Sequence, residues 1–387
     1  HVREPRDFWP GEATTLENWA SVALRMKSPP RPVEYLEGAE IQHIDAYEVA
    51  TAAVTKDGRL FTWGCGSNDR LGHGHTLDQP NQSIPREVTT LKGKISKVAC
   101  GGAFMAGLTP DGKVFTWGRA AGGTLGHSNS NPGIPTQVAG ELAGKVVVDI
   151  ACGRMHAVAM TADGLVYTWG SGRDGALGHG RRKDERTPRR VEGLKGVVGV
   201  GAGREHSIFL CKDSDGSGRS TIFTCGRDDY GQLGLGRSQR FVTQPSAVGG
   251  ISGSVEQIAV GELHSAAIVD GKLYTWGKNK DGQLGLGSTM DQPIPTVVEG
   301  LDGTAVSVAC GDGHTAITVR AKGVREGPGS QLWMMGRGRS GQLGRGNNLE
   351  SNAAPRLKPV QVDLGKGIQS VDHVALGADH SLCIVSE

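Results

Sequence analysis

The sequence has no run of apolar residues approaching the ~18 that a membrane-crossing helix needs, so no membrane insertion is expected. It also has no surplus of charge, since 42 lysines and arginines stand against 40 aspartates and glutamates, a net +2. That balance argues against a dedicated nucleic-acid binder, whose domain would be strongly basic. The seven cysteines are odd in number and form no Cys-x-x-Cys pair, which speaks against a disulfide framework and a zinc knuckle. They fit an intracellular, reducing location, whether cytosol, nucleus, or an organelle such as the mitochondrion after removal of a presequence. No Walker sequence, zinc-ligand spacing or nucleophile elbow occurs. The expectation is a non-enzymatic chain without catalytic residues, cofactor, metal or small-molecule substrate. Helical periodicity is missing too, apart from a short stretch near residues 14–26. The chain opens on His1 rather than methionine, so a targeting segment is not judged from these residues.

What is abundant is glycine, 61 of 387 residues, more than twice the usual ~7%. No every-third-residue pattern appears, which excludes collagen. A hydrophobic content of 37% suffices for a core. The glycines are organised by a repeat. Trp-Gly recurs at Trp63, Trp117, Trp169 and Trp276, with Cys225 and Met335 in the same place. Eight residues after each comes a Leu-Gly step, at Leu71, Leu125, Leu177, Leu233, Leu284 and Leu343. Successive copies lie 51 to 59 residues apart.

A second anchor reads Ala-Cys-Gly-x-x-His at Ala151 to His156 and Ala309 to His314. Variants end on His206, His264 and His380, Phe104 replaces the histidine after Cys100, and Ala46 to Thr51 is a decayed first copy. Trp9-Pro10 has the spacing of a degenerate first Trp-Gly. Seven units then fill residues 1–387 as a single domain, the first degenerate (about 1–54) and six fuller ones from about 55. Runs such as Val166-Tyr167-Thr168-Trp169 have strand composition, and Asp-Gly turns at Asp57, Asp111, Asp163 and Asp270 suit tight hairpins. Units of this size cannot bury their own faces and read as blades around an axis. The expected fold is all-β, a seven-bladed β-propeller closed by pairing N- and C-terminal strands in one blade, with Phe8-Trp9 beside the strand near residues 382–385.

These residues resemble the regulator of chromosome condensation repeat family over essentially the whole chain. The resemblance rests on Phe61-Thr62-Trp63-Gly64 with Leu71-Gly72-His73-Gly74, on Asp229 to Gly236, and on Ala309 to Thr315. Tryptophan-aspartate and kelch propellers differ in period or signature. Members include the nuclear exchange factor for the GTPase Ran, the plant ultraviolet-B photoreceptor, and docking modules of larger assemblies. The photoreceptor's Gly-Trp-Arg-His-Thr signature has no counterpart, because Arg154, Arg204, Glu262, Asp312 and Ala378 stand where its tryptophans would. The Ran factor's inserted wedge is not visible either, since the offset from Trp-Gly to Leu-Gly stays at eight. The chain is thus a close match to neither. Glu205-His206 and Asp379-His380 do match that factor's acid-before-histidine loops. They form the candidate exchange face if the alternative function, guanine nucleotide exchange on a small GTPase, holds.

The favoured function is a protein-interaction scaffold in a larger assembly. Histidines at one repeat phase are read as structural hydrogen bonding, because a catalytic base is needed once and not five times. The same logic makes the anchor cysteines apolar filler. Candidate partner-binding residues are cations two or four places after Trp-Gly: Arg119, Arg173, Arg227, Lys278, Lys280, Arg337 and Arg339. Arg181, Arg182 and Lys183 add a local basic cluster. Same-phase positions should share one face and suit an acidic protein partner or a small GTPase, with RNA contact only within a larger complex. Polar insertions at residues 212–220 and 321–330 are further contact candidates.

Overall fold

The segment ending on Ala-Cys-Gly, or its equivalent, forms the innermost strand of each blade, and the segment ending on Trp-Gly forms the third. The computed structural model describes residues 22–24, 31–36, 38–74, 81–91, 93–128, 133–212, 218–236, 239–321, 323, 329–344, 354–365 and 368–386. Six blades are continuous in the chain, at residues 41–87, 97–137, 147–190, 197–247, 255–297 and 303–361, each made of four consecutive antiparallel strands. We number them one to six.

The expected seven-bladed propeller is corrected to six such blades and one closing sheet. That sheet is no repeat unit. In hydrogen-bonded order it takes Arg31–Pro32 and Val22–Leu24 from one end of the chain, then Ser381–Ser386 and Ser370–Leu376 from the other. The strand that pairs is Val22–Leu24, with Val22 opposite Cys383 and Leu24 opposite Ser381. Phe8-Trp9, assigned that place from the sequence, lie outside the described residues, as do Trp9-Pro10 and most of residues 14–26. The reason is one of phase. The Ala46 anchor belongs to the inner strand of blade one, Ile41–Tyr47, whose third strand carries Trp63. Counting it as the end of an earlier unit added a blade.

Closure covers what would otherwise be an open edge at Ser381–Ser386. A chain starting after residue 32 is therefore expected to melt at lower temperature and to self-associate. Thermal unfolding with light scattering checks this, and an unchanged monomer would show the end strands to be dispensable.

The motif residues act between blades. In five blades the threonine before the Trp position donates its hydroxyl to the carbonyl of the Leu-Gly leucine, at 2.5–2.9 Å. This bond spans the offset of eight, which blade six keeps with Met334 in place of the threonine. Trp117, Trp169 and Trp276 then reach back to the preceding blade. The Nε1–H groups of Trp117, Trp169 and Trp276 donate to the carbonyls of Arg70, Thr124 and Gln232 at 2.9–3.0 Å. The glycine of the preceding Leu-Gly step lies against the indole, and a Cβ at Gly126 would come within 2.9 Å of the Trp169 nitrogen.

The histidines form a second inter-blade series. His156, His206, His264, His314 and His380 place Nε2 within 2.8–3.1 Å of Ser207, Ser265, Thr315, Ser381 and Thr51 of the next sheet. Ser207, Ser265, Thr315 and Ser381 spend their own hydrogens on carbonyls of Ala176, Gln232, Gln283 and Gln342. Four of the five rings must therefore carry their proton on Nε2. Thr51 is the hydroxyl partner here and not a histidine equivalent, because Ala50 pairs with Gly64 as His156 pairs with Gly170. Where the ring is absent, at Ala50 and Phe104, the next blade offers Met105 and Ala157. The anchor glycine is required by contact: a Cβ at Gly203 would come within 2.3 Å of the His206 ring.

The core is accordingly divided into wedges between neighbouring sheets. Trp63, Ile44, Ala375 and Leu382 join blade one to the closing sheet, and Leu332, Met334, Val371 and Cys383 join that sheet to blade six. The innermost strands leave an axial cavity of about 250 Å³.

Candidate protein-docking face

In an antiparallel sheet the first and third strands run the same way, so the anchor loops and the loops after Trp-Gly emerge at one end of the propeller. Backbone bonds tie the anchor loops together around the axis, Gly102 N–H to Gly153, Arg154 to Gly203, Arg204 to Glu262, Glu262 to Gly311 and Ala378 to Glu48. The first residue after each loop glycine is thereby presented at the cavity mouth.

A lattice of charges occupies that mouth. Arg204 pairs with Glu262 and lies 3.7 Å from Glu205. Arg227 donates to Glu205 at 2.8 Å and pairs with Asp229. Arg337 donates to Asp312 at 2.7 Å and to the carbonyl of Ala378 at 3.0 Å, and lies 3.5 Å from Asp379. The Glu262 and Asp312 carboxyls are close neighbours. Burial and this neighbouring carboxylate push Glu262 up to about 7. Burial opposes the charge of Asp312 as well, but hydrogen bonds from Glu262 and Arg337 outweigh it and hold that carboxyl at about 2.

The structure divides the ring of cations expected from the sequence. Arg227 and Arg337, two places after the Trp position, are partly buried and engaged with the mouth carboxylates. Lys278, at the same phase, stands 5.6 Å from the ring centre of Tyr230. Arg119, Lys280 and Arg339 are exposed, and Arg173, with its side chain 79% exposed, is 3.8 Å from Asp184. Arg181 pairs with Glu185, Arg182 stacks on Phe241 at 3.9 Å and donates to the Arg173 carbonyl, and Lys183 is exposed. Of the exchange-face candidates, Glu205 and Asp379 reach the mouth. His206 is fully buried, and both it and His380 face a neighbouring sheet. The insertions at 212–220 and 321–330 fall largely outside the described residues.

Sequence reasoning did not single out Arg204, Glu262 and Asp312 as site residues. The available signal was a charged residue directly after the loop glycine in four consecutive units, Arg154, Arg204, Glu262 and Asp312.

The family model described as RCC1-like domain matches residues 14–383. The chain belongs to the RCC1-like domain family. Human E3 ubiquitin-protein ligase HERC2 is 34% identical over 330 residues, covering 82% of this chain and 7% of that protein. The chain thus spans a small fraction of that relative's length. The ultraviolet-B receptor UVR8 of Arabidopsis thaliana is 34% identical over 346 residues, covering 87% of this chain and 74% of the receptor. Among solved structures, Prp20p of Saccharomyces cerevisiae, described with its binding properties to Gsp1p and histones, shares the fold. It superposes with a TM-score of 0.78 at 20% identity, over 96% of this chain and 92% of that one. An RCC1-like propeller of this architecture is compatible with protein interaction. Among the described residues no helix is long and apolar enough to cross a membrane.

Proposed function

We propose that this RCC1-like propeller is a non-enzymatic docking module, a domain or subunit of a larger assembly, that receives an acidic protein surface on its loop face. One observation carries the reading: Glu205, Glu262, Asp312 and Asp379 are engaged by Arg204, Arg227 and Arg337, while among the described residues Arg119, Lys183, Lys278, Lys280 and Arg339 have no carboxylate in ion-pair range. These cations are left to an acidic partner surface, with Asp174 and Asp281 interleaved among them. RNA contact belongs only to such an assembly. The odd cysteine count without a Cys-x-x-Cys pair supports a reducing, intracellular compartment.

Nucleotide exchange on a small GTPase is the competing activity, suggested by the likeness to Prp20p and the acids Glu205 and Asp379. The inward-facing His206 and His380 count against carrying that factor's loop chemistry over unchanged.

The test is a combined reversal, Arg173→Glu, Lys183→Glu and Lys280→Glu, at exposed positions where little stability is expected to be lost. Partners captured by the wild type are identified, purified and titrated against both proteins. Affinity is expected to fall about tenfold or more at ~50 mM salt and less at ~300 mM, where screening is stronger. Equal affinities would overturn the reading, and accelerated GDP release from a captured GTPase would establish the alternative. Arg227 and Arg337 are left in place, because glutamate there would face two carboxylates at each site.

A further inference from the structure

Between blades four and five the loop face opens into a cleft of about 590 Å³ lined by Tyr230, Lys278, Lys280, Thr289, Met290 and Asp291, a size common among ligand-binding clefts (~300–1,000 Å³). Two features mark it. Its apolar groups are uncovered, with Met290 69% and Tyr230 38% exposed. Among the described residues neither Lys278 nor Lys280 has a carboxylate within ion-pair distance, although Lys278 stands 5.6 Å from the Tyr230 ring centre and acts on Asp312 at longer range, and Asp291 of the cleft accepts the Asn279 N–H at 2.7 Å.

The exposure of Met290 is imposed by a rigid loop. Asn279, fully buried, donates from Nδ2 to the carbonyls of Ser288 and Met290, both at 3.0 Å, and accepts the Leu284 N–H at 3.0 Å. Tyr230 is held as firmly: its N–H donates to Gln232 Oε1 at 2.9 Å, and the next residue, Gly231, packs so closely on Pro293 that a Cβ would come within 2.4 Å of Pro293 Cα. Neither loop can fold over the cleft without breaking these bonds. A preformed apolar seat beside unpaired cations spends little ordering entropy on binding.

We propose that this cleft takes an extended acidic segment of a partner protein, seating one apolar side chain against Tyr230 and Met290 and placing flanking carboxylates on Lys278 and Lys280. The inference rests on the docking reading above and names its chemistry. A nucleic-acid strand is the competing polyanion, and the test below separates the two.

The probe is a fluorescein-labelled peptide, Glu-Asp-Glu-Phe-Glu-Asp-Glu, titrated against the full chain by anisotropy. Micromolar-range binding is expected. A drop of about fivefold or more is expected both for the Phe-to-Ala peptide and for the protein variant Lys280→Glu with Met290→Ser, whose positions are exposed and whose fold circular dichroism verifies. No binding by wild type at ~1 mM protein, equal binding of the Phe-to-Ala peptide, equal binding by the variant, or tighter binding of an oligouridylate would each overturn the proposal. If the peptide fails while the rim reversal still abolishes partner binding, this cleft is wrong and the docking face stands. If both fail, the docking reading falls with it.

Discussion

Lowering the pH from 7 to 4 is expected to unfold the propeller cooperatively. Burial holds His156, His264 and His380 at about 4, and His206 and His314 at about 3, against an ordinary 6.5. The unfolded chain takes up protons below pH ~6.5 and the folded chain does not until pH ~4. Each histidine's contribution is thus fully present above pH ~6.5 and is lost as the pH falls, at up to ~1.4 kcal/mol per unit and roughly 3 kcal/mol in all. Two carboxyls act in the opposite sense. Burial raises Asp45 to about 6 and Glu262 to about 7, so each disfavours the folded state at neutral pH and is relieved on acidification. Two such groups do not offset five, and the shortfall is comparable with a whole domain's stability of ~5–15 kcal/mol. Urea unfolding between pH 7.5 and 5 measures the slope.

The junction of blades two and three shows how to isolate one histidine, because there Phe104 and Ala157 replace the ring and the hydroxyl. His206→Phe with Ser265→Ala copies that pair, and the Gln232 carbonyl keeps the Trp276 indole as donor. The double variant is expected to lose about one proton of uptake on unfolding, flattening the pH dependence by up to ~1.4 kcal/mol per unit. An unchanged slope would mean that His206 titrates normally in the folded protein.

Trp169→Ala is expected to cost ~3–5 kcal/mol. The side chain is fully buried, and its removal leaves a cavity between blades two and three and an unpaired Thr124 carbonyl. Trp117→Ala should behave alike, with Arg70 losing its donor. Gly126→Ala supplies the partner measurement. Its added Cβ meets the Trp169 nitrogen at 2.9 Å, at a backbone φ of +69° that favours glycine. Combined with Trp169→Ala, the steric part of that cost should vanish, so the two effects will not add. Denaturant unfolding of the four proteins checks this. Full stability of Trp169→Ala with lost partner binding would place the tryptophan at an interface instead of in the blade junction.

Local pattern determined much of this protein. The strand runs, the Asp-Gly hairpins, the constant offset of eight and the structural character of the repeated histidines depend on residues close in sequence or recurring at one phase. Even the hydroxyl partners left a trace, since Ser or Thr follows in the next unit wherever a histidine stands. The tertiary structure decided where the repeat stops being a blade. Closure is made by Val22–Leu24, a strand without the motif, because an open sheet edge needs a backbone partner and not a particular side chain. It also decided which cations are available to a partner. Arg227 and Lys280 look alike in a list of spacings, but Arg227 meets Glu205, 22 residues away on another loop, whereas Lys280 meets no carboxylate among the described residues. Whether a charge is paired depends on distances between loops brought together only when the blades pack, and the spacing along the chain carries no record of them.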